Sequence, residues 1–485
     1  MNNIKIGKTL EFIAVSALLF TFFGFFSVKI WDIDFWWHMA AGKDILLNGV
    51  IPSVDPFGIY QADNACGQTV LKSEWLGQVM LYLANKWMGL NGVILLRAGV
   101  LTLCLAIIYQ RCRLAGVAGF FSFAFTTLAG LAILNFTGER PNLFSFLFMA
   151  VIFLLLDEFS RTGKRWLLYG VPLVVLVWSN THAGVVLGVA SFGLYGIFYG
   201  YEQYLEKSTW NTTQTRLMAM VVFLSLLIML LAPSGLSTLE CIIEQQSGII
   251  VRDRVSEYGS PITLWRVAVY YWIFVGAAVI SLVGLSMSKQ YKHAALVLSL
   301  GALSVIGYRY IPLFVLAVAP YVASGIAKVM RYVKASSLLV NGILLSATLG
   351  FLTYGIKYDR AFQYGVVEHR FPIGAVEYIK NNQIQGRMFN SMNWGGYILW
   401  ELHGKVQIFI DGRTLDMRRL VPYTHILWVT PEGRQFFDQG EFDLVLVAHG
   451  NQFSGERYPL VEYLRNNPQW KIVYQDAVGY LFARR

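Results

Sequence analysis

Long apolar segments dominate this chain and restrict what it can fold into. Apolar residues make up 56% of the 485 residues and charged residues 14%, and the mean hydropathy is +0.51. A soluble domain cannot bury that much apolar surface, so the composition is typical of a polytopic helical membrane protein. About eleven segments are read as membrane spans. They lie near residues 10–30, 91–109, 115–136, 142–157, 166–179, 183–201, 217–234, 268–287, 294–307, 310–329 and 337–356.

The basic residues predict the orientation of these spans. The formal net charge is +10, and short basic connectors occur at residues 5–8, 111–113, 161–165, 289–292 and 331–334. Placing all of them in the cytoplasm satisfies the positive-inside rule, so the charge is explained by topology and no nucleic-acid partner is predicted. An odd number of spans then puts the amino terminus inside and everything after residue 358 outside. The first apolar run is longer than a signal-peptide core and no small-residue cleavage site follows it, which predicts an uncleaved anchor.

This orientation places the remaining polar residues together on the non-cytoplasmic side. Carboxylates at the exit of a membrane helix are costly unless they lie in water or take part in chemistry. A single outward-facing cavity would collect most of them; the alternative is that each is a solvated loop residue. The set comprises Asp32, Asp34, His38, Asp55, Glu74, Glu139, Arg140, Asn180, His182, Glu257 and Arg309.

The composition changes after residue 359. Short apolar runs alternate with polar turns, and no segment there is long enough to span a membrane. The pattern predicts helices near 371–382 and 458–466, strands near 387–390, 405–410 and 442–448, and a hairpin over 471–474 and 479–483. We therefore expect a small α/β domain over 359–485, after a transmembrane domain over 1–358. Residues 74–88 are amphipathic and predict a helix lying in the membrane interface.

The cysteines predict no covalent or metal-bound framework. The chain has four of them, Cys66, Cys104, Cys112 and Cys241, and three lie in or beside predicted spans. Their spacing matches no metal-ligand pattern, so neither a disulfide framework nor a zinc site is expected.

Several motifs resemble those of bacterial membrane glycosyltransferases of the GT-C superfamily, which use polyprenyl-phosphate-linked sugars. The first outer loop, residues 31–76, carries D-x-D-x-W-W-H at 32–38, N-G-V-I-P at 48–52, D-P-F at 55–57 and E-W-L at 74–76. The likeness continues in R-P-N-L-F at 140–144, W-S-N-T-H-A-G at 178–184 and R-Y-I-P-L-F at 309–314. The motifs F-N at 389–390, G-G-Y-I-L-W at 395–400 and I-D-G-R at 410–413 are similar to the outer domain of uncharacterised members. Many relatives have proline where this chain has Ile33.

The resemblance covers nearly the whole chain and implies an architecture and a location. The fold would be a polytopic α-helical GT-C-like membrane domain with a small C-terminal α/β domain on the extracytoplasmic face. The location would be a bacterial inner membrane, among membrane lipids. The partners would be a polyprenyl-phosphate sugar donor and a glycan, lipid or protein acceptor.

The resemblance also implies which residues carry the chemistry. Displacing the carrier phosphate needs a base for the acceptor proton and positive charge for the departing phosphate. Asp34 is the expected base and Asp32 a close rival, which the sequence does not separate. The expected phosphate ligands are Arg140, Arg309 and His182, and supporting roles fall to His38, Asp55, Glu74 and Asn180. For Arg140 the alternative is a side chain that only extends to the membrane interface.

A divalent metal ion, Mg²⁺ or Mn²⁺, is an open question for this sequence. Asp34 and His38 are four residues apart, so a helix would put them on one face, and a carboxylate with an imidazole can bind such an ion. Two side chains are too few to define a site, and some GT-C enzymes use a metal whereas others do not. Trp36 and Trp37 are expected in the interfacial aromatic belt rather than stacked on a sugar.

The sequence therefore favours an integral-membrane glycosyltransferase over two other classes. A non-catalytic protein for lipid-linked glycan transport or envelope polysaccharide assembly would carry charges through both leaflets, whereas here the polar groups gather on one side. A solute transporter would show inverted repeats and broken helices near mid-membrane. The motif Asp411-Gly412-Arg413, at the exit of a predicted strand, is expected to serve structure or acceptor docking rather than catalysis.

Overall fold

The computed structural model is mostly helical, and each of the apolar segments predicted from the sequence overlaps a helix. It describes residues 2–59, 65–205, 212–247, 259–263, 265–266, 268–330, 337–413, 417–450 and 455–485. The helices that contain these segments are α1 (Asn2–Phe26), α4 (Trp75–Leu114), α5 (Gly119–Ile133), α6 (Asn142–Thr162), α7 (Trp166–Ser179), α8 (Val185–Leu205), α9 (Thr212–Leu231), α11 (Val269–Met287), α12 (Tyr291–Ile306), α13 (Ile311–Val329) and α14 (Ser337–Lys357).

The lengths and compositions of these helices define a polytopic membrane protein. In the described part of the chain, seven helices are long and apolar enough to cross a membrane, and α5, α7 and α12 are shorter apolar helices. Helix α13 is the most buried of the candidate spans and contributes a nearly continuous run of side chains to the core of the bundle. A helix that is apolar all round is typical of the centre of such a bundle.

Two helix ends differ from the sequence prediction. Helix α1 ends at Phe26 rather than near residue 30, so the polar loop begins earlier than expected. The amphipathic helix predicted over 74–88 is the first part of α4, which has non-helical backbone at Met88 and Gly89 before it continues into the second span. Gly89 has a φ of +62°, a conformation that glycine adopts without steric cost.

The loop between α1 and α4, called the first loop below, contains two further helices. These are α2 (Phe35–Asn48) and α3 (Ala65–Lys72). Helix α10 (Gly235–Ser247), in the long loop before α11, packs against α3. A disulfide joins Cys66 to Cys241 between these two helices. The expectation of no disulfide was therefore wrong, because spacing along the chain carries no information about a pair 175 residues apart.

The C-terminal region folds around one five-stranded mixed sheet. Its strands are β1 (Gly386–Asn390), β2 (Val406–Ile408), β3 (Leu444–Ala448), β4 (Trp470–Gln475) and β5 (Gly479–Arg484), in the order β2-β1-β3-β5-β4. Strands β2, β1 and β3 are parallel, whereas β5 is antiparallel to both β3 and β4. The accompanying helices are α15 (Ile373–Asn381), α16 (Gly395–Glu401), α17 (Met417–Leu427), α18 (Pro431–Gln439) and α19 (Pro459–Asn466). The predicted strands and the helices near 371–382 and 458–466 are present; α16, α17 and α18 were not predicted.

The first loop and the C-terminal region share one hydrophobic core. Trp36 of α2 contacts the rings of Phe371 and Tyr397 with centroids 5.5 and 5.0 Å apart, and Gly58 forms a bridge with Ile408 of β2. Both Trp36 and Trp37 are buried in this core, so the expectation that they belong to the interfacial aromatic belt was wrong. Burial of these aromatic residues fixes the first loop against the sheet.

Candidate functional site

The two acids of the D-x-D motif lie against a single arginine. Arg140 Nε is 2.9 Å from Asp32 Oδ2, and Arg140 Nη1 donates to Asp34 Oδ2 at 2.9 Å. One guanidinium therefore pairs with both carboxylates, with Asp34 through a hydrogen bond and with Asp32 through a close ionic contact. Asp32 is the more buried acid, with 5% of its side chain exposed against 18% for Asp34.

The local chain conformation aims the two acids in this way. Asp34 directly precedes α2, and its backbone N–H donates to Asp32 Oδ1 at 3.0 Å, as in an Asx turn. Two glycines make room for the carboxylates. A Cβ atom at Gly138 would overlap with Asp32 Oδ2, and a Cβ atom at Gly412 would overlap with Asp34 Oδ1. The site thus depends on the α5–α6 loop and on the C-terminal region as well as on the first loop.

A buried ion pair lies behind the acids. Arg97 of α4 pairs with Glu139, and both side chains are almost completely inaccessible. Arg97 Nε also donates to the carbonyl oxygen of Phe26 at 3.0 Å, and Glu139 Oε2 accepts the N–H of Asp32 at 3.3 Å. The pair therefore ties the end of α1 to the loop that carries Arg140. Arg97 was not predicted as a site residue. A lone arginine within an apolar span is energetically costly, and this cost is the signal by which the sequence could have identified it.

A second acid, Glu74, lies between two histidines. Its Oε2 is 3.5 Å from His38 Nδ1, and its Oε1 is 3.4 Å from His182 Nε2. His182 Nδ1 accepts the N–H of Gly184 at 2.9 Å, so the ring proton of neutral His182 belongs on Nε2, facing Glu74. Ser145 Oγ, 2.8 Å from His182 Nδ1, further fixes this ring. Three predicted residues from separate parts of the chain therefore meet here.

His38 is held in its neutral form. Burial lowers the pKa of its imidazole well below the usual 6.5, and the positive charges of Arg140 and Arg413, together with His182 in its protonated form, lower it further. Its Nδ1 also lies 3.4 Å from the side-chain nitrogen of Gln78. An imidazole that stays neutral at physiological pH can orient Glu74 without adding charge to the site.

The C-terminal motif Asp411-Gly412-Arg413 joins the first loop through ion pairs. Arg413 Nη1 donates to Asp55 Oδ1 at 2.8 Å, and Arg413 Nη2 donates to Asp411 Oδ2 at 2.6 Å. Burial alone would lower the pKa of Arg413, but Asp411 and Asp55 raise it above its usual value. Asp55, predicted as a supporting residue, is thus one of two buried carboxylates held by this arginine.

The remaining predicted residues have different surroundings. Asn180 accepts, through Oδ1, the indole N–H of Trp75, the residue that follows Glu74, at 2.9 Å. Arg309 lies in a short 3₁₀ helix before α13, with its guanidinium 5.9 Å from the ring of Tyr310. The adjacent Tyr308 contacts Phe136 of the α5–α6 loop. Glu257 lies outside the described residues.

One buried donor next to Asp34 is unused. Trp37 Nε1 is inaccessible and has no hydrogen-bond partner among the described residues. Gly412 locates this donor close to Asp34. A Cβ atom on Gly412 would overlap with Asp34 Oδ1 and would lie 3.4 Å from Trp37 Nε1. An unmade buried hydrogen bond costs about 1–3 kcal/mol, so a water molecule or a ligand oxygen that reached this donor would be stabilised.

The predicted pair of metal ligands does not converge. Asp34 faces Arg140, whereas His38 Nδ1 faces Glu74. Within the described ranges, no group of three or more histidine, cysteine, aspartate or glutamate side chains is arranged to hold a metal ion. The donor set therefore does not fit a divalent ion at Asp34 and His38.

The fold is GT-C-like, with a polytopic helical membrane region followed by a small α/β region at the C-terminus. No protein-family model matches the sequence, and no curated protein matches it. The structure is similar to the oligosaccharyltransferase of Archaeoglobus fulgidus in its apo form, with a TM-score of 0.63, 8% identity, and coverage of 92% of this chain and 69% of that one.

Two further solved structures share this architecture. One is the same archaeal enzyme, AglB, in complex with an inhibitory peptide and a dolichol-phosphate, with a TM-score of 0.60, 9% identity, and coverage of 92% of this chain and 69% of that one. The other is ArnT from Cupriavidus metallidurans bound to undecaprenyl phosphate, with a TM-score of 0.52, 12% identity, and coverage of 98% and 97%. At these identities the likeness establishes the fold.

Proposed function

We propose that this chain is an integral-membrane glycosyltransferase that moves a sugar from a polyprenyl-phosphate carrier to a glycan, lipid or protein acceptor on the extracytoplasmic face. The observation that carries the proposal is the bridge from Arg140 to Asp32 and Asp34, placed where the first loop meets the C-terminal region. Relatives of the same fold were solved with dolichol-phosphate and with undecaprenyl phosphate, which supports a lipid-linked donor.

The proposed reaction is a displacement at the anomeric carbon. A bond forms between this carbon and the acceptor oxygen or nitrogen, while the bond from the carbon to the carrier phosphate breaks. Asp34 takes the acceptor proton, and the phosphate leaves with the electron pair and an added negative charge. Asp34 is favoured over Asp32 because its side chain is the more accessible of the two; Asp32 holds Asp34 through the backbone N–H.

Positive charge for the leaving phosphate comes from arginine. Arg140 lies against both acids, and the planar guanidinium group pairs well with phosphate oxygens. Arg309 is proposed as a second phosphate ligand because of the motif that contains it. The neighbouring Tyr308 contacts Phe136 of the α5–α6 loop, which also carries Arg140. His182 has its Nε2 proton toward Glu74 and would have to turn from that acid to donate to phosphate.

The disulfide supports the proposed orientation. Cys66 lies in the first loop and Cys241 in the long loop before α11, and both loops were assigned to the outer side by the positive-inside rule. Disulfides persist in oxidising compartments outside the cytoplasm. A bacterial inner membrane, with the site and the C-terminal region facing outward, satisfies both conditions.

Reconstitution tests the proposal directly. Purified protein in liposomes is supplied with radiolabelled polyprenyl-phosphate sugars and membrane-extracted acceptors, and transferred label is measured after separation of the lipids. Label transfer that requires both protein and lipid-linked donor is expected. If the protein binds the lipid carrier but transfers label from no donor, the result favours a non-catalytic role in glycan transport or assembly.

A further inference from the structure

Arg140 occupies the position in which two adjacent carboxylates would bind a metal ion. We propose that its guanidinium, and not a divalent cation, is the cation of the Asp32–Asp34 pair, so that sugar transfer proceeds without a metal. The inference rests on the proposed function and concerns which cation serves that same site. A relative of this fold, the archaeal oligosaccharyltransferase, was solved in complex with zinc and sulfate, so the question is a real one for this architecture.

The guanidinium of Arg140 lies too close to both acids to leave room for a shared metal ion. A divalent ion shared by the two acids would lie about 2.0–2.6 Å from one oxygen of each. Oδ2 of Asp32 and Oδ2 of Asp34 both lie 2.9 Å from nitrogens of Arg140. An ion bound between them would meet the guanidinium at close range, and two like charges at that distance repel strongly in a site of low dielectric.

The arginines near the two acids offset most of their negative charge. The third acid of this group, Glu139, is paired with Arg97. Counted together, the carboxylates of Asp32, Asp34 and Glu139 and the guanidinium groups of Arg97 and Arg140 leave a formal charge of −1. Hard divalent ions prefer several anionic oxygens, and in this group the arginines already neutralise most of them.

The histidine nearest to the acids in sequence is turned away from them. His38, the only histidine close in sequence to the acids, directs Nδ1 toward Glu74 at 3.5 Å and lies beside Gln78. Its imidazole thereby faces Glu74, the residue directly before α4, rather than Asp34. A metal at the acid pair would have to draw this ring away from Glu74.

Binding of Mn²⁺ provides a test that does not depend on activity. Mn²⁺ is titrated into EDTA-treated, full-length protein in detergent, and bound ion is measured by electron paramagnetic resonance for wild type, Asp34→Asn, Arg140→Gln and the Arg140→Gln/Asp34→Asn double variant. We expect wild type and Asp34→Asn to bind the same background amount. We expect Arg140→Gln to gain a stoichiometric ion that the double variant lacks. Stoichiometric binding by wild type that Asp34→Asn abolishes would overturn the inference.

The comparison of wild type with Asp34→Asn decides the question even where Arg140→Gln does not fold. Activity then separates the two proposals. Unchanged label transfer by wild type in EDTA supports an arginine as the cation, and transfer that EDTA abolishes and Mn²⁺ restores overturns the inference but leaves the glycosyltransferase in place. Absence of transfer from every donor, with and without Mn²⁺, counts against the proposed function, and the Mn²⁺ titration still decides which cation the acids hold.

Discussion

Gly412 of the C-terminal region lies directly against the carboxylate of Asp34 in the first loop. A Cβ atom at this glycine would overlap with Asp34 Oδ1 and come within 3.4 Å of Trp37 Nε1. The C-terminal region therefore borders the candidate site and shapes it, although its sheet lies more than three hundred residues away along the chain. The motif Asp411-Gly412-Arg413 supplies both this close approach and the ion pairs that secure it.

Substitution of Gly412 by alanine is expected to reduce transfer without unfolding the protein. The added methyl group must displace Asp34, and a misplacement of about 1 Å at a reacting group can cost about a hundredfold in rate. Gly276→Ala in α11 is the control, because no atom lies within 4 Å of a Cβ atom there. Rates in the liposome assay and unfolding temperatures are measured for both variants. Full activity in Gly412→Ala would show that Asp34 need not hold its observed position.

Removal of Arg413 is expected to loosen the C-terminal region from the first loop. Arg413→Ala leaves Asp55 and Asp411 buried without this partner, and breaking a buried ion pair costs about 3–5 kcal/mol of unfolding free energy. Arg387→Ala is the matched control, since its partner Glu441 is exposed and such surface pairs contribute about 0–1 kcal/mol. Denaturant unfolding in detergent measures both. Equal losses for the two variants would contradict the role assigned to Arg413.

The disulfide is expected to stabilise the outer loops. Cys66→Ser or Cys241→Ser should lower the unfolding free energy by about 2–4 kcal/mol, because the bond restricts the unfolded chain. The two other cysteines, Cys104 and Cys112, are free and buried. A thiol-reactive probe should therefore leave the folded, unreduced protein unlabelled. Labelling of both Cys66 and Cys241 without a reductant would show that the bond does not form.

The stability of the fold is expected to fall with acid below about pH 6.5 because of His38. Its pKa lies below 6.5 in the folded state, whereas the unfolded chain binds this proton near pH 6.5. The free energy of unfolding therefore decreases as the pH falls from about 6.5 toward the lowered pKa, by up to about 1.4 kcal/mol per pH unit. The unfolding temperature is measured between pH 8 and pH 5.

His38→Gln and His369→Gln separate this effect from other titrations. His369 is exposed on a short helix before α15, so its replacement should leave the pH profile unchanged. Replacement of His38 should flatten the profile in the acid range. A profile that is identical in wild type and His38→Gln would contradict the assignment of the acid sensitivity to this imidazole.

The sequence was sufficient for the elements that depend on local pattern. Long apolar runs predicted the membrane helices, and short apolar runs between turns predicted β1, β3 and the β4–β5 hairpin. The prediction missed α18, although Thr430 and Pro431 are typical of a helix start. It also missed α16 and α17, where Gly395-Gly396 and Pro422 are residues typical of turns. Here packing against the sheet stabilises helices that local propensity alone does not favour.

Several side chains of the candidate site were named from the sequence, but their pairings were not. The acids and Arg140 were identified from the first loop and from a motif more than a hundred residues away, and the fold brings them together. Arg97 was read only as part of a span, and its pairing with Glu139 follows from tertiary contact. The Cys66–Cys241 bond likewise depends on packing of α3 against α10. Such pairings depend on side-chain positions that one sequence does not encode locally.

The transfer rates of Asp34→Asn and Asp32→Asn in the same liposomes test the central claim most directly. Asparagine keeps the size of each side chain but removes the base and the charge. With both variants folded and binding the lipid carrier, the account predicts that Asp34→Asn loses about a hundredfold or more of the transfer rate, the scale of lost general-base catalysis, and that Asp32→Asn loses less. Transfer that survives in Asp34→Asn but collapses in Asp32→Asn would contradict the account and assign the base to Asp32.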